Sequence, residues 1–445
     1  MFINGGFMFS KFKSRLQSHR QSHRLCQFGV LITLAFGPTL AQAQSGGLTL
    51  DEALRLALQA SPSAKAADAS VQASREAAEK SDQLPDPTLK LGLDNLPVTG
   101  QEKFSTSADF MTMRRVGIEQ QWISFDKRAA RKERAQRAVE VEEGDSLANM
   151  AKVREETAKA WINVMFAQRS LVLCTSIQKE MKDDLGAWQA AHRGAKASAS
   201  DVLQAQMVLT QAQDASRKAE QDLASARIGL TRWTFVPVLS VANAMPPMLS
   251  HVSGLPAADL EKYHPMVLTA RRAINLADAD ISVATHERNP DWTFEVGFSQ
   301  RGSQFSNMIS VGLSIPLPVN RARKQDRDIA EKSALGTRAR LQYDATLREM
   351  QTEIQTLSTT LSSLNERVAH LHLQLLPPAS QQVELATAAY RAGTGSLTTV
   401  FNARRTLLEK QLQVTDMERD AALTWARLEL HVIPHDMVAK GRAAQ

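Results

Sequence analysis

The sequence has few cysteines and few aromatic residues. Of its two cysteines only Cys174 lies beyond the first 43 residues, so the rest of the chain can form no internal disulfide. Aromatic residues make up 5% of the sequence, while long stretches consist of Ala, Gln, Glu, Lys, Arg and Leu. This composition is typical of long helices rather than of compact globular cores.

Long hydrophobic runs are also absent beyond the first segment. No later stretch approaches 18 consecutive apolar residues, which argues against a spanning helix but not against a barrel.

Residues 1–43 are predicted to be a signal peptide, with a basic start, an apolar run from Phe28 to Leu40 and a cleavage site at Ala41-Gln42-Ala43. Its removal takes away five basic residues and leaves a net charge of about +1. A nucleic-acid partner is therefore not expected.

Motifs for catalysis or tight metal binding are missing as well. His286-Glu287 is followed by Arg288-Asn289-Pro290, which breaks a helix and offers no second histidine. His431 and His435 have helical spacing, but Pro434 lies between them. Met111 and Met113 could contact soft cations, although a barrel or loop position explains them better. We predict no catalytic residue, no metal site and no cofactor.

An internal duplication organises the chain. The segment Ala191 to Val202 matches Ala389 to Val400 without gaps, about 200 residues later. Each copy is predicted to run helix, two short strands, a very long helix, a turn and a second long helix. The predicted segments are the signal peptide at 1–43, a first structural repeat at 44–236, a linker at 237–256, a second structural repeat at 257–432 and a C-terminal tail at 433–445.

The segments that follow the strand pairs predict unusually long helices. Between Asp126 and about His192 there is no proline, so this helix could run for roughly 65 residues, or about 100 Å. In the return helix, apolar residues recur at alternating steps of three and four from Val202 to Trp233, interrupted only by Ser216. Many of them are alanine. This pattern predicts a coiled-coil seam with closely approaching helices.

Four segments alternate apolar with small or polar residues, at about 87–95, 111–123, 291–299 and 308–317. Sheets of soluble proteins show the same alternation. Four strands of about ten residues behind an export signal nevertheless favour a lipid-facing sheet. Because four strands cannot close a water-filled barrel, several chains must contribute. The predicted lipid-facing residues of the second strand pair are Trp292, Phe294, Val296, Phe298, Ile309, Val311, Leu313 and Ile315.

Two motifs complete the pattern. One is Leu48-Thr-Leu-Asp-Glu-Ala-Leu-Arg-Leu-Ala-Leu, and the other is Tyr390-Arg-Ala-Gly-Thr-Gly-Ser-Leu-Thr-Thr-Val-Phe-Asn-Ala-Arg. With the duplication, they resemble the TolC family of outer-membrane efflux proteins. The resemblance implies a mixed α+β membrane protein: a homotrimer pools twelve strands into a β-barrel in outer-membrane lipid, continued by an α-helical coiled-coil barrel in the periplasm. It also implies a periplasmic adaptor and an inner-membrane RND transporter as partners.

The resemblance further implies a gate at the periplasmic tip. In the family, a tyrosine before the glycine turn and an aspartate on the other helical pair help to hold the closed state, and Tyr390 and Asp201 match them. A charge-assisted hydrogen bond would join the two side chains. The alternative is that both residues merely cap and pack helix ends.

Other positions at the tip depart from the family pattern. Gly393 and Gly395 are interpreted as helix-ending glycines, and Gly395 stands where a basic residue is expected. In some relatives, rings of acidic residues narrow the entrance of the channel. The corresponding positions here are Thr399 and Asn402. We therefore expect this entrance to be less cation-selective or differently gated.

Two segments bear on the substrate. Those that begin at Asp86 and Met111 resemble the branch that serves heavy-metal pumps of the RND type. The expected function is a passive exit duct for heavy-metal cations, and not an enzyme. The alternatives are a channel for multidrug efflux or type I protein secretion and, from a different class, a periplasmic coiled-coil adaptor. Two helical hairpins with duplicated strand pairs argue against the adaptor.

Overall fold

The computed structural model describes residues 47–195 and 197–433, so the predicted signal peptide and all but the first residue of the predicted tail lie outside the described residues. The first half contains α1 (Leu50–Ala60), α2 (Pro62–Glu79), β1 (Thr88–Asp94), β2 (Met113–Trp122), α3 (Phe125–Arg193) and α4 (Ala199–Thr234). The second half contains α5 (Ala257–Tyr263), α6 (Pro265–Glu287), β3 (Trp292–Gln300), β4 (Met308–Ser314), α7 (Gln325–Gln374), α8 (Leu376–Arg391) and α9 (Leu397–Leu430). No helix in these ranges is both long and apolar enough to cross a membrane.

Proline sets the helix breaks in both repeats. The opening helix of each repeat divides at a proline, Pro62 or Pro265, which occupies the first position of the new helix, where its missing N–H costs nothing. The very long helix of the second repeat also divides, between Gln374 and Leu376, ahead of Pro377. The pattern of the repeat predicts a continuous helix here, and the proline explains the difference. Its counterpart α3 has no proline and runs for 69 residues, or about 100 Å.

The long helices pack through small side chains. Along α4 the buried positions include Ala205, Ala212, Ala219 and Leu223, as the seam pattern predicts. Ser216, which interrupts the apolar pattern, is only 3% exposed and belongs to the same seam. The seam is therefore continuous along α4.

The linker between the repeats is part of the core. It forms no helix or strand of its own, yet Val241 and Val252 are buried in the same cluster as Trp161 of α3. Leu48 forms a parallel bridge with Val241, and the indole N–H of Trp161 donates to the Leu48 carbonyl oxygen at 2.8 Å. These contacts tie the start of the first repeat to the linker.

The four strands form one antiparallel sheet in the order β1-β2-β3-β4. Val296 of β3 lies opposite Ile118 of β2 on one side and Val311 of β4 on the other, which fixes the register. β4 ends at Ser314, earlier than the predicted end at 317, because Pro316 has no N–H to donate to a ladder. Within the described residues, the outer edges of β1 and β4 pair with no further strand.

A histidine lies buried where α5 meets α6. His264 is 2% exposed and stacks on His431, with ring centroids 5.3 Å apart. The Nδ1 atom of His431 lies 2.8 Å from Glu155. The two histidines line a small cavity together with Arg427 and Glu353, which form an ion pair. Burial, together with the charge of His431, lowers the pKa of His264 from 6.5 to about 4. The folded protein therefore keeps this imidazole neutral.

Acid is expected to destabilise the protein through this histidine. Between pH 6.5 and about pH 4, His264 is protonated in the unfolded chain but not in the folded chain. Stability is thus full above pH 6.5 and falls by at most about 3 kcal/mol as the pH drops through that window. Melting followed by circular dichroism at several pH values measures the loss.

The matched control is His264→Leu, which removes the titrating group. Glu155 also has a lowered pKa, because hydrogen bonds from His431 and Lys159 outweigh the effect of burial. It contributes its own loss of stability in acid, so the difference between the two proteins isolates His264. Parallel melting curves for the two proteins across the window would contradict the assignment.

Candidate functional site

Two helical turns, α3–α4 and α8–α9, lie side by side at one end of the helical region. Each return helix begins with a serine cap: Ser198 accepts the backbone N–H of Asp201, and Ser396 accepts that of Thr399. Between the two hairpins, the Thr398 hydroxyl donates to the Gln204 side-chain oxygen at 3.2 Å. We call this end the tip.

An aromatic pair joins the two hairpins at the tip. The ring of Tyr390 on α8 meets Trp188 on α3 edge to face, with centroids 4.7 Å apart and planes at 70°. Both pack against buried Leu397 and Phe401 of α9 and Ala205 of α4. Burial raises the pKa of the Tyr390 phenol, and the nearby charge of Asp201 raises it further.

Asp201 has a different partner from the one that the family resemblance implies. Its carboxylate accepts hydrogen bonds from the Ser198 backbone N–H at 3.0 Å and from the Ser198 hydroxyl at 2.8 Å. Among the hydrogen bonds of the described residues none joins Asp201 to Tyr390. In this chain Asp201 completes a capping box.

A partly buried ion pair, which the sequence analysis missed, also joins the hairpins. The guanidinium of Arg404 on α9 contacts the carboxylate of Asp184 on α3. Burial raises the pKa of Asp184 above its ordinary value of 3.8, although the charge of Arg404 opposes this. The available signal was periodicity: Asp184 lies three residues after buried Met181, and Arg404 three residues after buried Phe401, so both charges interrupt apolar faces.

The remaining predicted tip residues line the turn and its surface. Gly393 has φ of 75°, in the left-handed region that favours glycine after a helix. A side chain at Gly395 would approach Ala389 to 3.0 Å. Thr399 and Asn402 are both exposed on the first turns of α9.

The sheet presents one exposed apolar face. Val311 is 79% exposed, Ile309 75% and Val296 54%, and all eight predicted lipid-facing residues are at least 40% exposed. Neighbouring strands extend the same face. Its further members are Leu89, Leu91, Leu93, Val116, Ile118 and Trp122. The opposite face carries Lys90, Asp94, Arg115, Glu119 and Glu295, which pair with one another.

The described ranges hold no group of three or more His, Cys, Asp or Glu arranged to bind a metal ion. Met111 is exposed in the loop before β2, and Met113 begins that strand. Cys174 is buried, and burial raises the pKa of its thiol. A buried thiol with a raised pKa is a poor nucleophile.

Residues 258–431 match the family model of the outer membrane efflux protein. The cobalt-zinc-cadmium resistance protein CzcC of Cupriavidus metallidurans is 23% identical over 84% of this chain and 88% of its own length. A solved structure of CusC has a TM-score of 0.75 at 16% identity, covering 85% of this chain and 90% of that one. The open-state structure of the Neisseria gonorrhoeae outer membrane channel MtrE has a TM-score of 0.71 at 16% identity, covering 87% and 89%.

The family match and the fold agree with the geometry of the chain. Long helical hairpins and a small sheet with an exposed apolar face are the parts of such a channel. The protein is accordingly an efflux channel rather than an enzyme, and it lies in the outer membrane and extends into the periplasm. Residues 258–431 are similar to the outer membrane efflux protein family, and the chain has the fold of TolC-like channels.

Proposed function

We propose that three copies of this chain form the exit duct of a tripartite RND pump that exports heavy-metal cations. The observation that supports heavy-metal cations as the substrate is the similarity to a cobalt-zinc-cadmium resistance protein over 84% of the chain. The segments that begin at Asp86 and Met111, which resemble the heavy-metal branch, support the same substrate. A periplasmic adaptor and an inner-membrane RND transporter are the proposed partners.

The sheet supports the assembly. Its apolar face is exposed over all four strands, and an apolar patch of this extent marks a membrane or protein interface. The open edges of β1 and β4 expose backbone groups that lipid cannot satisfy. Three chains that pair β4 with the next β1 remove every edge and give twelve strands. The apolar face then contacts lipid, and the charged face lines the channel.

The tip supports a gate. Opening a duct at this end requires the α8–α9 hairpin to separate from the α3–α4 hairpin. The contacts that oppose this separation are the Trp188–Tyr390 pair, the Asp184–Arg404 ion pair and the exposed hydrogen bond between Thr398 and Gln204. Exposed Thr399 and Asn402 line the entrance in place of acidic residues, while Asp201 maintains the cap of α4. We assign closure to the aromatic pair and the ion pair, which are less exposed to water than the hydrogen bond.

Deletion of the gene is expected to sensitise the cell to cobalt, zinc and cadmium ions more than to dyes, detergents or antibiotics. Removal of the duct leaves the pump without an exit, so the exported cation accumulates in the periplasm. Growth inhibition by each compound, measured in the deletion strain and its parent, gives the profile. Expression of the unmodified gene should restore resistance.

The opposite profile would assign the duct to multidrug efflux, and unchanged resistance with impaired export of a protein would assign it to type I secretion. Either result rejects the metal substrate and leaves the duct itself intact. The adaptor alternative lacks support, because the family model and the solved folds are those of channels.

A further inference from the structure

Two like charges lie directly opposite each other in the sheet. Glu119 of β2 pairs in register with Glu295 of β3, a position at which carboxylates repel. Lys90 of β1 contacts both, with its Nζ 2.9 Å from Glu295 Oε2. The other oxygen of Glu295 contacts Arg115, which in turn lies 3.5 Å from Asp94. Two cations thus pair with three carboxylates in one continuous chain of ion pairs, which we call the ion ladder.

The ion ladder lies flat along the wall of the sheet. Three glycines leave the space that its long side chains occupy. A Cβ at Gly297 would be 3.4 Å from Nε of Arg115, one at Gly312 would be 3.7 Å from Cβ of Glu295, and one at Gly117 would be 3.9 Å from Cβ of Lys90. Lys90 itself is 39% exposed and Glu295 only 21%. The charges are therefore held against one another rather than extended into water.

The opposed carboxylates are also a latent cation site. Glu119 and Glu295 already bind a single ammonium group between them. Carboxylate oxygens that converge on one point are ligands for divalent cations. As long as Lys90 occupies that point, no passing metal ion can take it.

We propose that Lys90 is a specificity-determining residue of the channel, since it keeps the paired carboxylates of Glu119 and Glu295 closed to the exported cation. Arg115 does the same for Asp94 and the second oxygen of Glu295. A duct conducts only when its binding sites release what they bind. The ion ladder leaves one excess negative charge per chain, which attracts cations without giving them a site. This inference rests on the proposed channel with the charged face inside.

The substitution Lys90→Met tests the proposed role of this lysine, with the purified channel in planar bilayers. The reversal potential in a KCl gradient should shift toward greater cation selectivity, because each chain gains one uncompensated carboxylate. Zn²⁺ should half-block the current at a roughly tenfold lower concentration. An opposite charge within about 4 Å changes the proton affinity of a carboxylate by at least that factor, and the same repulsion acts on a metal cation. An unchanged reversal potential and unchanged Zn²⁺ block would overturn the proposal.

The matched control is Lys90→Met with Glu119→Gln, which restores the charge balance and removes one of the two ligands. It should conduct like the unmodified channel, and a double variant that Zn²⁺ blocks as strongly as the single one would also overturn the proposal. If Lys90→Met does not assemble, Glu119→Gln alone should lower cation selectivity, and a rise would contradict the role of the ion ladder. Failure of the unmodified protein to conduct would reject the proposed channel instead, so the two failures remain distinct.

Discussion

Asp184→Ala is expected to open the channel in planar bilayers. The variant leaves Arg404 partly buried between α3 and α9 without its carboxylate, and an unpaired charge there favours separation of the hairpins. A lost hydrogen bond to a charged group costs roughly 1.5–3 kcal/mol. That bias in each chain raises the ratio of open to closed channels about tenfold or more. Single-channel recording measures the open probability and the conductance.

The raised pKa of Asp184 provides a sharper test. It indicates that desolvation of this carboxyl, together with the like charge of Asp183, outweighs the attraction of Arg404. Replacing both partners with apolar residues, Asp184→Leu with Arg404→Met, should therefore keep the channel closed, because a desolvated ion pair is often no better than a hydrophobic contact. Tyr390→Phe, which retains the ring against Trp188, should also remain closed. Equal opening of the double and single variants would show that charge attraction itself holds the tip.

Val311→Arg is expected to prevent assembly of the barrel. Val311 lies in the middle of β4 opposite Val296, is 79% exposed and belongs to the apolar face. A cation on the lipid face at mid-membrane costs roughly 2–4 kcal/mol in each chain. The yield of trimer in mild detergent and the amount of protein in the outer-membrane fraction should both fall. The variant should also fail to restore metal resistance to the deletion strain.

Ser310→Arg is the matched control, one residue away on the charged face. Ser310 is exposed, and its hydroxyl lies 3.4 Å from the Gly297 carbonyl oxygen, so a longer side chain can extend into the channel. Gly297 is unsuitable for this purpose, because any side chain there would meet Ser310 at 2.9 Å. Equal trimer yields for the two arginine variants would reject the assignment of the faces.

Much of the fold could be predicted from the sequence because the signals are periodic. Alternation of period two marked the strands and the apolar face from Trp292 to Leu313, since successive side chains of a strand point to opposite faces. Apolar residues at steps of three and four marked the seam of α4. The break near Leu375 was missed although Pro377 was visible, because the repeat suggested a continuous helix.

The tip shows where such patterns stop. Gly393 could be identified as the end of a helix because its left-handed backbone is a local property. The partner of Asp201 could not be predicted in this way, since a carboxylate three residues after a serine can cap its own helix as well as reach a neighbouring helix. The pair between Asp184 and Arg404 joins residues far apart in sequence, and no spacing rule connects them.

By itself the sequence determined the duplication, the helix and strand types and the side of the sheet that is apolar, because each depends on neighbours within a few residues. Only the tertiary structure decided which charges meet. The contact of Lys90 with both Glu119 and Glu295 depends on the register of three strands, and that of Arg404 with Asp184 depends on the packing of two hairpins. Pairing energies fall steeply with distance, so these contacts exist only once the chain has folded.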